Sequence, residues 1–140
     1  MTPIQLARAY AVIANGGYLV KPHLSKIDSQ TFSNQNRIKI DIDPKNINLV
    51  KNGLRKVVES GTGVSINYGV SNLPPVSGKT GTAEDGEGGP DHAWFVCFTP
   101  SDKSELLIVA FAQNTPGGGS KHALPMAREI LKAWNKTNSI

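Results

Sequence analysis

Lys79 is set among small residues in the stretch "VSGKTGTA", Val76 to Ala83, and this stretch is the part of the 140-residue chain best equipped for chemistry. Lys79 brings a cation, Thr80 and Thr82 bring short hydroxyl donors, and Gly81 lets another backbone lie close. Together they suit a carboxylate at the end of an extended peptide, held by charge-assisted hydrogen bonds and strand pairing. A regular pleat points Lys79 and Thr82 to opposite faces, so service to one ligand predicts an irregularity at Gly81. The rival reading is an exposed turn ahead of a loop. A phosphate loop is excluded: its first glycine would fall on Leu73, and "GTAEDGEGG" cannot open the helix that must follow.

The other reactive residue types are less well placed. Asp91 and His92 are adjacent and, on a strand, would face opposite ways, so they are expected to anchor a loop rather than act as a base pair. His23 and His122 have no metal-ligand spacing, and "EDGEGG" lacks the calcium-loop pattern, so neither a metal nor a cofactor is expected. Cys97 is the single cysteine, sits in the apolar run "AWFVCFTP", and reads as a buried filler. Trp94 and Trp134 read as packing residues. The net charge of +4 comes from scattered basic residues with few aromatics between them, so no nucleic-acid surface is expected. No window is apolar enough to span a membrane, and no signal peptide is recognisable.

The elements that must position Lys79 follow from capping and periodicity. Thr2, Pro3 and Gln5 form the start of a helix through Ala14, stopped by Asn15-Gly16-Gly17. "YLVKPHLSKI" reads as extended, with Pro22 barring a central strand, and the polar stretch from Asp28 to Ile42 reads as a surface excursion. Asp43 and Pro44 open a second helix with Ile47, Val50, Leu54, Val57 and Val58 on its stripe, ended by Ser60-Gly61. The glycine-broken connector after it has room for one short helical turn. Strands are expected over 76–83, 93–99 and 105–113, the last two as continuous apolar runs covered on both faces. After the break "NTPGGGS" a last helix spans roughly 121–135, with Ala123, Ala127, Ile130, Leu131 and Trp134 inward. The order implies an α+β domain, three antiparallel strands covered by helices.

Five ordered blocks, "TPIQLARAYAVIANGGYLVKP", "LRKVVESGTG", "VSGKTGTAE", "DHAWFVCFTP" and the closing glycine run with its helix, resemble the penicillin-binding transpeptidases. The resemblance is to the C-terminal part of the class B, cell-elongation type (penicillin-binding protein 2). It implies a serine β-lactamase-like fold and a D,D-transpeptidase that cross-links peptidoglycan stem peptides through an acyl-serine. It also implies the D-alanyl-D-alanine end of a stem peptide, or a β-lactam, as partner. The outer face of the cytoplasmic (inner) membrane, toward the periplasm, would be its place. The family's K-T-G falls on Lys79, Thr80 and Gly81. By that resemblance Lys79 positions substrate and supports proton transfer, Thr80 and Thr82 hold the terminal carboxylate, and the Thr82 N–H helps form the oxyanion hole.

The family's S-x-x-K is missing, since no serine here is followed three residues later by lysine. Ser65-Ile66-Asn67 spells S-x-N but lies twelve residues before Ser77, closer than the family's second motif, and reads as a decoy. The whole chain is therefore expected to be one partial domain, inactive alone and completed by the N-terminal part of the same domain. Two alternatives stand beside it: a noncatalytic peptide- or partner-binding module, and a piece of a serine β-lactamase.

Overall fold

The computed structural model describes residues 1–24, 37–86 and 88–138. Helix α1 spans Pro3–Ala14 and begins with the expected reciprocal cap. Gln5 N–H donates to the Thr2 hydroxyl at 3.4 Å, and Thr2 N–H donates to Gln5 Oε1 at 2.8 Å. At its other end Gly16 and Gly17 adopt φ of 81° and 105°, and the Asn15 amide clamps the Tyr18 backbone from both sides at 2.7 and 2.8 Å. The chain thus reverses into β1 (Tyr18–Val20), which pairs antiparallel with β2 (Arg37–Lys39). Pro22 lies beyond β1, as its missing N–H requires. Most of the expected polar excursion falls outside the described residues.

Helix α2 (Pro44–Glu59) starts where Asp43 Oδ1 accepts from Lys45 N–H at 2.8 Å. Ile47, Leu54 and Val58 are buried, whereas Val50 is 44% exposed, so the inner stripe is narrower than the periodicity predicts. The connector holds the single turn expected, a 3-10 helix over Val64–Asn67. Strands β3 (Ser77–Ala83), β4 (His92–Thr99) and β5 (Leu106–Ala112) form one antiparallel sheet in the order β3-β4-β5. The glycine run is not a plain break. Residues Gly118–Lys121 make a helical turn, α3, that leads into α4 (Ala123–Asn138).

Alternation along β4 divides the core into two layers. Ala93, Phe95 and Cys97 pack with Val58, Ile66 and the α4 residues Ala123, Leu124, Ala127 and Leu131. On the other face Phe98 and Leu107 meet Tyr10, Ile13 and Ala14 of α1 and Leu54 of α2. Two expectations change here. Leu124, not Ile130, completes the α4 stripe: Ile130 lies on its flank and is 49% exposed. And while β4 is covered on both faces, β5 buries only Ile108 and Ala110, as an outer strand does. Cys97 is the inert filler expected, its thiol pushed up to about 12 by burial. Among the described residues no helix is long and apolar enough to cross a membrane.

Candidate substrate-binding strand

Strand β3 pairs with β4 alone among the described residues, which leaves its other edge unpaired by any strand. The ladder runs without interruption from Ser77 opposite Phe98 to Ala83 opposite His92. The irregularity expected at Gly81 is therefore absent. Lys79 and Gly81, opposite Val96 and Trp94, lie on the α1 side, and Thr80 and Thr82, opposite Phe95 and Ala93, lie on the α4 side. A regular pleat is still compatible with one ligand, provided the ligand lies in the sheet plane along the open edge. Side chains from both faces then flank it, a lysine on one side and two hydroxyls on the other.

On the α1 side the exposed Lys79 ammonium donates to the Thr80 carbonyl at 2.7 Å, and among the described residues no carboxylate pairs with it. It borders a mostly apolar trough of about 230 Å³, walled by Met1, Leu6, Tyr10, Trp94 and Val96. On the α4 side the Thr80 hydroxyl lies 2.7 Å from that of Thr62, which follows α2. Thr82 is backed by α3, where a Cβ at Gly118 would collide with its hydroxyl. A Cβ at Gly119 would collide with the Trp94 carbonyl and with the Gly81 backbone, so α3 lies flat against the β3–β4 pair.

The sequence pointed to Lys79, Thr80, Gly81 and Thr82, and the structure brings all four to one strand edge. It did not point to Thr62, to the glycine backing or to the trough. The one signal for Thr62 was its place between Gly61 and Gly63. His92 has the anchoring role expected: its Nδ1 accepts from Asn114 N–H at 3.2 Å and its ring meets Phe111 edge-on. Thr115 N–H adds a bond to the Asp91 carbonyl at 2.7 Å. Ser65-Ile66-Asn67 is occupied with packing. Ile66 is wholly buried, the Ser65 carbonyl accepts from Arg128, and Asn67 donates to the Val58 carbonyl at 3.2 Å.

An antiparallel sheet clad by helices, with Lys-Thr-Gly-Thr on an open edge, is the architecture of a penicillin-binding transpeptidase domain. Pseudomonas aeruginosa PBP2, solved in complex with WCK 5153, superposes with a TM-score of 0.76 at 33% identity, over 96% of this chain and 30% of that one. The model of the penicillin binding protein transpeptidase domain matches residues 1–132, and the chain belongs to that family. Penicillin-binding protein 3 of Bacillus subtilis is 35% identical over 87% of the chain, which corresponds to 18% of that protein. The peptidoglycan D,D-transpeptidase MrdA of Acinetobacter baumannii is 33% identical over 95% of the chain and 22% of its own length. The chain thus spans less than a quarter of these curated relatives.

Proposed function

We propose that residues 1–140 are the C-terminal part of a peptidoglycan D,D-transpeptidase domain and supply the wall that grips the substrate carboxylate. The observation that carries this reading is the uninterrupted β3 ladder, which sets Lys79 on one face of an open edge and Thr80 and Thr82 on the other. A stem peptide ending in D-alanyl-D-alanine, or a β-lactam, lies along that edge as an added strand. Thr80 and Thr82 hold its terminal carboxylate by charge-assisted hydrogen bonds. The Thr82 N–H donates to the oxyanion of the tetrahedral intermediate, a contribution of about 3 kcal/mol for one donor in such sites. Lys79 supplies positive potential beside the scissile carbonyl and supports proton transfer.

The nucleophilic serine comes from the preceding portion of the domain. The trough beside Lys79, lined by half-buried Leu6, Tyr10 and Trp94 over buried Val96, is the surface against which that portion seats. The acyl-enzyme forms as the serine oxygen bonds to the carbonyl carbon and the terminal D-alanine leaves, its nitrogen taking the proton. A second stem-peptide amine then displaces the serine and forms the cross-link. The reading places the site on the outer face of the cytoplasmic membrane, where these substrates occur. A fluorescent penicillin added to the purified 140-residue chain is expected to give no covalent adduct by intact mass. A stoichiometric adduct on a serine of this chain would overturn the assignment of the nucleophile to another segment.

A further inference from the structure

The hydroxyl of Thr62 lies 2.7 Å from that of Thr80, across eighteen residues of sequence. This contact is built rather than incidental, because the chain around Thr62 is folded tightly back onto the end of α2. Gly61 N–H and Gly63 N–H both donate to the Val57 carbonyl, at 3.2 and 2.9 Å. A Cβ at Gly61 would lie 3.0 Å from that same carbonyl oxygen, and one at Gly63 would lie 3.1 Å from it. Two close approaches to one carbonyl therefore fix the backbone on either side of Thr62, and its side chain is delivered to β3 from outside the sheet.

We propose that Thr62 is a positioning residue for the carboxylate site: it donates its hydroxyl hydrogen to Thr80 Oγ1, so that Thr80 presents its own hydrogen to the substrate carboxylate. This rests on the reading of Thr80 as a carboxylate ligand. Either hydroxyl of the pair can donate in the free protein. An anion on Thr80 removes the ambiguity, since an ionised carboxylate only accepts and Thr80 must then donate outward. Its oxygen is left free to accept from Thr62. Two donors in series polarise each other, so the outer bond is stronger than a lone threonine would make it. Thr62 is exposed and sits at the lip of the strand, which makes the relay removable without opening the core.

The test uses the complete domain, residues 1–140 joined to their preceding catalytic portion. It compares acylation by benzylpenicillin with acylation by benzylpenicillin methyl ester, which lacks the charge. The ratio of the two rates, measured on one preparation, does not depend on the fraction of active protein. Thr62→Val is expected to lower that ratio roughly three- to tenfold, the range for losing one such hydrogen bond, and Thr62→Ser to restore it. Thr80→Val is expected to lower the ratio at least as far, and adding Thr62→Val to it should change nothing more. If Thr80→Val lowers the ratio and Thr62→Val does not, the Thr62 role is wrong while the carboxylate reading stands. If Thr80→Val leaves the ratio unchanged, the carboxylate reading itself is wrong and the relay falls with it. Equal slowing toward both compounds in Thr62→Val would mark a merely structural residue and overturn the proposal.

Discussion

Lys79→Ala in the complete domain is expected to slow acylation by benzylpenicillin about a hundredfold or more, the size of losing one preorganised electrostatic contact to a developing oxyanion. Stability should stay within about 0.5 kcal/mol of the parent, as for other exposed substitutions. Lys79 is exposed on the α1 side of β3, carries no carboxylate partner among the described residues, and donates to its own strand, at the Thr80 carbonyl. Its removal leaves no buried group unpaired and opens no cavity. What it takes away is, among the described residues, the only lysine that lines the trough where the serine portion is proposed to seat. Stopped-flow acylation beside a thermal melt separates the two quantities. An unchanged acylation rate would remove Lys79 from the mechanism.

The second large effect belongs to a residue with no side chain. Gly119→Ala is expected to destabilise the folded domain by about 3 kcal/mol, at the upper end of overpacking costs, and to slow acylation as well. The added methyl would enter the space of the Trp94 carbonyl and the Gly81 backbone. Gly81 and Trp94 face each other in the β3–β4 ladder, so relief requires either parting the strands or lifting α3 away from Thr82. Gly53→Ala makes the same chemical change in mid-α2, where nothing lies within 4 Å of the new methyl. There the better helix propensity is expected to stabilise by about 0.5–1 kcal/mol. Urea unfolding of the pair should therefore give shifts of opposite sign. A Gly119→Ala midpoint equal to the parent's would show that α3 gives way freely.

Local chemistry made most of the elements legible. The reciprocal cap of Thr2 and Gln5, Asp43 ahead of Pro44, and the apolar runs of β4 and β5 each act within a few residues, and each element appears where they place it. Lys79 to Thr82 were legible for the same reason, being four neighbours on one strand. The features that failed to show are those made by distant segments. Thr62 meets Thr80 only because α2 packs along β3, and nothing in "SGTG" says which strand its hydroxyl will reach. Gly118 and Gly119 looked like a chain break because a glycine run is equally suited to flexibility and to close contact. The predicted kink at Gly81 erred by assuming that a ligand must sit on one face. A ligand in the plane of the sheet needs no kink, because the pleat already offers it both faces. Ile130 was placed inward by counting apolar positions, whereas the burial of Leu124 centres the stripe elsewhere.

The wall of the trough also gives the site an optical property. The chain contains two tryptophans. Trp134 lies near the end of α4, while Trp94 lines the trough beside Lys79, half-buried, with its indole 4.3 Å from the Phe111 ring. Indole emission follows the polarity around the ring, so whatever covers the trough changes the light that Trp94 gives out. With Trp134 replaced by phenylalanine, the remaining signal comes from the site alone. Docking of the proposed serine-bearing portion can then be followed without a label, and before any substrate is added.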